Sequence, residues 1–210
     1  MHRPSLLVLL ALSLVLVACG GGGGGDGGPP PALTALALPS DGDIDGWVGN
    51  NDLFFPTSTP VAGDSNLDDG YRAFFAFNLD SIPADAQIVS VKLRLYQSHV
   101  LGDPYSTHGP LVADHIDICT GLDLGDYTGS NLRAAFAVVS EDAAIGYREV
   151  DATERVLADL AAGRGLAGFR IRFGSRQSDN DGVRDLIVLT DGEDSGGIGN
   201  PPQLIIQYTQ

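Results

Sequence analysis

Residues 71–79 read Tyr-Arg-Ala-Phe-Phe-Ala-Phe-Asn-Leu, and residues 89–95 read Val-Ser-Val-Lys-Leu-Arg-Leu. In the first stretch every second residue from Ala73 to Leu79 is apolar, and in the second, valine and leucine alternate with polar residues. Because successive side chains of a strand point to opposite faces, this period of two places the apolar residues on one face. Both stretches are therefore predicted to be antiparallel strands with one buried side.

The strand pattern recurs toward the C-terminus. Residues 169–173 alternate apolar residues with arginine, residues 186–189 are all aliphatic, and residues 204–208 close the chain with a further apolar run. Turn-forming residues separate these segments, for example at 179–182 and 199–202. We predict a strand in each segment.

One helix is predicted among the strands, over residues 151–162. Asp151 stands three residues before Glu154, as in a capping box, and Gly163 follows as a stop signal. The apolar face of this helix is expected to consist of Val156, Leu157 and Leu160. A second, weaker helical stretch is predicted over residues 130–136.

Short strands, polar turns and one short helix are typical of an all-β domain. We predict a jelly-roll-like antiparallel β-sandwich that forms a single domain over residues 32–210. Hydrophobic residues make up 43% of the chain, which is enough to build a sizeable core.

Residues 1–18 are predicted to be a signal peptide. Arg3 supplies positive charge, and residues 6–17 form an apolar run that is too short to span a bilayer. Ala18 followed by Cys19 resembles the lipobox of bacterial lipoproteins, which implies that Cys19 carries a lipid and becomes the mature N-terminus. The resemblance also implies the outer membrane, because Gly20 stands where an aspartate would favour the inner membrane. The alternatives are an ordinary signal peptide with an incidental cysteine, or a buried apolar segment.

Residues 19–31 are predicted to be the lipidated cysteine and a flexible tether rich in glycine and proline. Removal of residues 1–18 takes away Arg3 and no acid, so the formal net charge of −15 becomes one unit more negative. Such a surface repels phosphate backbones and anionic lipid headgroups. We therefore expect no nucleic-acid partner, and we expect attachment to the membrane through the lipid. The second cysteine, Cys119, is expected to be a small buried side chain.

Six segments of the domain follow one another in a recognisable order. They are residues 45–48 (Asp-Gly-Trp-Val), 71–83, 86–96, 148–153, 168–172 and 201–209. This order resembles the DNRLRE-type jelly-roll domain, and the resemblance covers residues 40–209. It implies a secreted or cell-surface module, related to the family-96 carbohydrate-binding modules.

Polysaccharide binding is the function that this resemblance implies, and the residues offer candidates for it. Aromatic faces stack on sugar rings, and arginine offers planar donors to carboxylates. The candidate ligand-binding residues are Trp47, Arg94, Tyr96, Arg170 and Arg172, with Tyr105 and Tyr127 as further aromatic candidates. The alternatives are that the outward arginines pair with local carboxylates and that Trp47 fills the core.

A calcium site is predicted in the segment that begins at Asp41. Acidic residues at alternate positions, a glycine at the sixth, an aliphatic residue at the eighth and an acid at the twelfth reproduce the ligand spacing of a calcium loop. The ligands would be Asp41, Asp43, Asp45 and Asp52. Residues 179–182 and the acids at 64, 68 and 69 are two further oxygen-rich loops. The alternative for each loop is a solvated turn.

Sequence motifs for catalysis are absent: the chain has no Gly-x-Ser-x-Gly elbow, no His-Glu-x-x-His and no phosphate loop. His115 and Asp117 would share a face if they lay on one strand, and we interpret them as a structural pair. The expected function is a lipid-anchored, cell-surface module that binds polysaccharide without catalysis. A structural or adhesion lipoprotein that binds another envelope protein is the alternative, followed by a polysaccharide lyase or hydrolase.

Overall fold

The computed structural model describes residues 31–51, 53–56, 59–118, 121–192 and 199–210. The predicted signal peptide, Cys19, the tether up to residue 30, Asp52 and Cys119 lie outside the described residues.

Strands account for most of the secondary structure in these ranges. The strands are β1 (Thr34–Pro39), β2 (Gly46–Gly49), β3 (Phe54–Pro56), β4 (Val61–Asp64), β5 (Gly70–Asn78), β6 (Gln87–Leu101), β7 (Leu111–Ile116), β8 (Asn131–Ser140), β9 (Gly146–Asp151), β10 (Leu166–Phe173), β11 (Leu186–Leu189) and β12 (Gln203–Thr209). The helices are the single turn α1 (Pro104–Thr107), a 3₁₀-helix (Leu124–Tyr127) and α2 (Thr153–Ala161).

All described strand pairs are antiparallel, and they form one curled sheet in the order β1-β12-β6-β11-β4-β5-β10-β7-β8. Strand β9 pairs with β6, while β2 pairs with β5 and with β3. The predicted class, an all-β jelly-roll-like sandwich with one short helix, is confirmed. The five strands predicted from periodicity correspond to β5, β6, β10, β11 and β12.

The main core lies between the inward faces of the sheet. Leu93 and Leu95 of β6 are fully buried, as are Phe75 and Phe77 of β5 and Phe169 of β10. These residues come from the stretches whose period of two predicted a buried face. Alternation in the sequence therefore located the core correctly.

Strand β5 is buried on both faces, which differs from the prediction of one solvent-facing side. Phe74 and Ala76 point away from the main core and pack with Val48, Ile116 and neighbouring apolar residues in a second cluster. Residues of β2 and of the segment after β7 pack on this side of β5. The continuous apolar run from Ala73 to Phe77 is the sequence signature of this double burial.

Helix α2 begins two residues later than predicted. Asp151 is the last residue of β9, and its carboxylate accepts a hydrogen bond from the Thr153 backbone N–H at 2.8 Å. Val156 is fully buried, whereas Leu157 is 42% exposed, so the predicted apolar face is wrong at Leu157. Gly163 ends the helix with a φ of +69°, as expected for a glycine at this position.

The predicted helix over residues 130–136 is wrong. These residues lie mainly in β8, which pairs with β7. Alanine-rich stretches favour helices intrinsically, but pairing along the edge of a sheet overrides this preference.

Within the described part of the chain, no helix combines the length and the apolar character needed to cross a membrane.

Candidate functional site

The solvent-facing side of three neighbouring strands, β12, β6 and β9, presents an array of polar and aromatic side chains that we call the outer face. Its members alternate with core residues along each strand. They are Ser90, Lys92, Arg94, Tyr96, Tyr147, Glu149, Asp151, Gln203, Ile205 and Gln207.

Strand register arranges the outer face in rows. Arg94 lies between Gln203 of β12 and Glu149 of β9, and Lys92 lies between Ile205 and Asp151. Side chains directly opposite each other in neighbouring strands are within contact distance. The Arg94 row therefore combines hydrogen-bonding groups from three strands, and the Lys92 row combines two charged groups with one aliphatic side chain.

Glu149 orients both cations of the outer face. Its carboxylate accepts hydrogen bonds from Arg94 Nε at 2.6 Å and from Lys92 Nζ at 3.1 Å. These bonds, that from Arg94 first, lower the pKa of Glu149, so the carboxylate is ionised at neutral pH. The guanidinium carbon of Arg94 also lies over the Tyr147 ring, 4.7 Å from its centroid, in a cation–π contact.

Two tyrosines border the cations. The rings of Tyr96 and Tyr147 meet edge to face with 5.1 Å between centroids, and the Tyr147 hydroxyl donates to Asn200 Oδ1 at 2.8 Å. Tyr147 remains 41% exposed. The phenol ring is therefore held in place while a large part of it faces solvent.

A groove of about 260 Å³ runs over the outer face. Its lining residues are Ser90, Lys92, Arg94, Glu149, Ile205 and Gln207. Hydroxyl, ammonium, guanidinium, carboxylate and amide groups meet one aliphatic side chain here. Such a set can donate and accept hydrogen bonds along a ligand rich in hydroxyl groups.

Trp47 belongs to a different surface, which we call the aromatic cluster. Its ring stacks on Phe55 at 4.6 Å and meets Tyr71 edge to face at 4.7 Å between centroids. The cluster lies on β2, β3 and β5, and β4 and β11 separate β5 from β6 in the sheet. The structure therefore brings Arg94 and Tyr96 together but does not bring Trp47 to them.

Arg170 is buried, so its predicted position on a solvent-facing side of β10 is wrong. It is 3% exposed, and its Nε and Nη2 donate to Asp114 at 3.0 and 2.8 Å. Arg172 donates to the same carboxylate from Nε and Nη2 at 2.8 and 3.0 Å. The two arginines therefore pair with a local carboxylate, as the alternative interpretation of the sequence expected.

Arg170 also holds the segment after the 3₁₀-helix. Its Nη1 donates to the carbonyl oxygens of Asp126, Tyr127 and Gly129 at 2.9 to 3.2 Å. All its donors are thus engaged inside the protein, because Nε and Nη2 bind Asp114 and Nη2 also binds Asn131. The geometry gives Arg170 an internal structural role.

Burial alone would raise the pKa of Asp114, but the hydrogen bonds that it accepts outweigh this effect. Arg172, the Ala135 backbone N–H and Arg170 together hold its pKa below the usual value. The carboxylate therefore stays ionised and compensates charge on both arginines.

The two further tyrosine candidates are half-buried. Tyr105 donates its hydroxyl hydrogen bond to Gln97 and packs on Phe173 with 5.5 Å between ring centroids. The Arg72 guanidinium carbon lies 4.1 Å from the centroid of the Tyr127 ring. Both phenol rings thus have partners inside the domain.

The first predicted calcium loop directs its acids to different places. Asp41 accepts a bond from the Asp43 backbone N–H at 3.1 Å, within an exposed turn. Asp45 is fully buried and accepts hydrogen bonds from the Ser40 hydroxyl at 2.5 Å and from the backbone N–H groups of Gly192 and Ala76 at 2.9 and 3.3 Å. Desolvation by burial raises the pKa of Asp45 to about 7. Asp52, the fourth predicted ligand, lies outside the described residues.

The carboxylates of the second oxygen-rich loop lie closer together than those of the first, and Asp185 joins them. Ligand oxygens of Asp179, Asp181 and Asp185 all lie within 4.8 Å of one another. Asp179 Oδ1 is buried and has no hydrogen-bond partner among the described residues. The third loop contacts the second, since Asp64 accepts from the Asp185 backbone N–H at 3.0 Å and Asp68 from that of Gly182 at 2.9 Å. Among the described residues, only Asp179, Asp181 and Asp185 converge in this way.

His115 pairs with Asp159 of α2 and not with Asp117. Its Nε2 lies 2.9 and 3.0 Å from the two carboxylate oxygens of Asp159, and both side chains are buried. Asp117 follows the end of β7 and lies 3.6 Å from Arg164. A pairing that spans 44 residues carries no local sequence signal. Because both side chains are buried, the pair of His115 and Asp159 has a structural role and links α2 to β7.

Most of the outer face was missed by reasoning from sequence, which named only Arg94 and Tyr96 of its members as binding residues. Tyr147, Glu149, Gln203, Ile205 and Gln207 alternate with buried residues in β9 and β12, and this alternation is the signal that could have found them. Only the pairing of β6 with both strands brings them beside Arg94 and Tyr96.

No protein-family model matches this chain, and a search of curated proteins finds no match. The resemblance to DNRLRE-type domains stays a prediction.

Proposed function

We propose that this protein is a lipid-anchored, cell-surface module that binds polysaccharide and has no catalytic activity of its own. The outer face carries this proposal. It combines a partly exposed tyrosine, two cations oriented by one carboxylate, and a groove lined by amide and hydroxyl groups.

The chemistry of the outer face suits a sugar chain laid across β12, β6 and β9. Pyranose rings present an apolar side that stacks on tyrosine, and their hydroxyl groups bond to amides, carboxylates and guanidinium groups. Because Tyr147, Arg94 and Glu149 hold one another in place, little side-chain freedom would be lost on binding. Of the ligand-binding residues predicted from sequence, Arg94 and Tyr96 lie on the outer face.

The proposed anchor is a lipid on Cys19, which would hold the domain at the bacterial cell envelope, in the outer membrane. A tether of about a dozen flexible residues has a root-mean-square reach of roughly 20 Å. This reach would let the outer face turn away from the lipid surface. The acidic net charge of the chain gives the domain no electrostatic attraction to anionic headgroups.

A protein partner is the second candidate, and the aromatic cluster favours it. Phe55, which stacks on Trp47, is 45% exposed, and so is Leu53, two residues before it in the chain. Grouped apolar side chains at a surface are typical of protein contact sites. Under this alternative the chain is a structural or adhesion lipoprotein that binds another envelope protein.

A polysaccharide lyase or hydrolase is the weakest candidate. His115 and Asp159 are buried, and a catalytic pair must contact its substrate. We propose no catalytic residue.

A glycan array with a soluble form that lacks residues 1–19 tests the proposed function. We expect binding to one class of glycan, and we expect Tyr147→Ala or Arg94→Ala to reduce it at least tenfold. Arg176→Ala is the matched control, because Arg176 is exposed in the segment after β10 and lies outside the outer face. Absence of glycan binding, or equal loss in the control variant, would reject the proposal.

We also propose one structural calcium ion, held by Asp179, Asp181 and Asp185. Carboxylate oxygens are the ligands that calcium prefers, and the orphaned Asp179 Oδ1 supplies an oxygen without an internal partner among the described residues. The ion would join the loop before β11 to buried Asp185. We therefore favour this loop over the one that begins at Asp41.

A further inference from the structure

A second and larger cavity, which we call the α2 cleft, lies beside β8, the end of β9 and the first turn of α2. Its volume is about 520 Å³, within the range of small-molecule sites. The lining residues are Arg133, Phe136, Asp151, Glu154 and Arg155. The proposed polysaccharide function leaves this cleft without a role.

The α2 cleft contains two guanidinium groups. Arg133 is exposed on β8 and makes no ion pair within the described part of the chain. Arg155 pairs with its neighbour Glu154, whose side chain is 86% exposed. An exposed ion pair of this kind contributes little stability, so a ligand carboxylate can compete for Arg155.

Two carboxylates share the α2 cleft with the guanidinium groups. Asp151 accepts hydrogen bonds from Thr153, and these lower its pKa, so it is ionised at neutral pH. Glu154 is exposed to solvent. A ligand that carried only negative charge would meet repulsion from both acids, and a purely cationic ligand would meet repulsion from both arginines.

Phe136 supplies a fixed apolar wall. It is half-buried, packs against the main core, and its ring lies 5.9 Å from the ring of fully buried Phe169. An apolar side chain of a ligand would contact this wall. The α2 cleft thus offers cationic, anionic and apolar groups to a single small molecule.

We propose that the α2 cleft binds a small zwitterionic ligand of the amino-acid class. The guanidinium groups of Arg133 and Arg155 would bind the α-carboxylate, which suits their planar paired donors. Asp151 and Glu154 would accept hydrogen bonds from the α-ammonium group, and Phe136 would contact the ligand side chain. The site uses no residue of the groove on the outer face, although Asp151 lies at the edge of that face opposite Lys92.

Isothermal titration with three probes tests this proposal on the soluble form that lacks residues 1–19. The probes are L-phenylalanine, its amide, which lacks the carboxylate, and its N-acetyl derivative, which lacks the ammonium group. We expect the free amino acid to bind at least tenfold more tightly than either derivative. No binding of L-phenylalanine, or binding of either derivative within threefold of it, would overturn the proposal.

Variants locate the site. We expect Arg133→Gln and Glu154→Gln each to weaken L-phenylalanine binding by about tenfold or more, the usual loss for a hydrogen bond between charged groups. Both residues are exposed, so the variants are expected to fold. Arg176→Gln is the control and should leave the affinity unchanged, because Arg176 is exposed and lines neither the α2 cleft nor the groove on the outer face. Loss of binding in Arg176→Gln with retention in Arg133→Gln would refute the assignment to the α2 cleft.

Discussion

Asp45 shows how one buried carboxyl group can make the stability of a domain depend on pH. Burial raises its pKa to about 7, although Ser40, Gly192 and Ala76 donate hydrogen bonds to it. The folded state therefore prefers the neutral acid, whereas the unfolded chain ionises it near pH 4. The resulting penalty on folding begins above pH 4, grows up to about pH 7 and is constant above that value.

Asp45→Asn should remove this penalty, because the amide stays neutral at every pH. Between pH 5 and pH 9 we expect the variant to gain about 3 kcal/mol in free energy of unfolding relative to the unsubstituted protein. Urea unfolding at the two pH values measures this difference. Asp43→Asn, in the exposed turn, is the control, and a pH-independent difference for Asp45→Asn would contradict the assigned pKa.

Asp114 is the opposite case, because its pKa is lowered. Asp114→Asn leaves Arg170 and Arg172 without their shared carboxylate, so we expect it to reduce the free energy of unfolding by about 3–5 kcal/mol at pH 7. Since the pKa is below its usual value, this contribution is present above the unfolded pKa and is lost as pH falls through the folded one. Urea unfolding at pH 7 and pH 3 measures both effects.

Asp117→Asn is the matched control for Asp114, because Asp117 is exposed just beyond the same strand. We expect a change below about 0.5 kcal/mol for this variant, as for most surface substitutions. A loss in Asp114→Asn no larger than that of the control would show that the buried arginines do not need the carboxylate.

At the scale of secondary-structure elements, the loop before β11 is where a bound ion would act. We expect calcium to raise the midpoint of thermal unfolding and a chelator to reverse the rise, with about 3 kcal/mol of stabilisation at a hundredfold excess over Kd. Asp181→Asn should abolish the effect, because Asp181 is one of the three converging carboxylates. Differential scanning calorimetry measures each midpoint.

Asp43→Asn separates the two candidate calcium loops. If the ion binds at Asp179, Asp181 and Asp185, this variant keeps the full response to calcium. Loss of the response in Asp43→Asn with retention in Asp181→Asn would place the ion in the first loop. No response in the unsubstituted protein would reject a structural calcium ion.

Strand pairing determines the secondary structure of one segment against its intrinsic preference for helix. Residues 131–136 have helix-forming alanines yet extend as part of β8, because β7 offers a pairing edge. Conversely, residues 91–96 of β6 alternate regularly between buried and more exposed side chains, so that pairing and local pattern agree. Elements were predicted well where these two influences coincide.

At the scale of the whole molecule, substitution of Cys19 tests the proposed lipid anchor. We expect Cys19→Ser to move the protein from the detergent-rich phase to the aqueous phase and to abolish incorporation of a labelled fatty acid. Phase separation and metabolic labelling in a bacterial host measure both. Cys119→Ser is the matched control and should stay lipidated, and labelling that persists in Cys19→Ser would refute the anchor.

Part of the candidate site could be predicted from sequence, because exposure of Arg94 and Tyr96 follows from alternation within β6. Arg170 obeys the same alternation in β10 and is nevertheless buried by the segment around the 3₁₀-helix. Alternation states which side chains share a face. It carries no information about whether another segment covers that face.

Local pattern alone established the all-β class, the single short helix and the apolar residues of the main core, because a period of two and turn residues act over a few neighbouring positions. Tertiary structure decided the rest: the outer face, the pairing of His115 with Asp159, the burial of Arg170 and the convergence of Asp179, Asp181 and Asp185. Several of these features join residues that lie far apart in the chain. Their contacts depend on strand pairing and on which segments cover each face, and neither is encoded in any short stretch of residues.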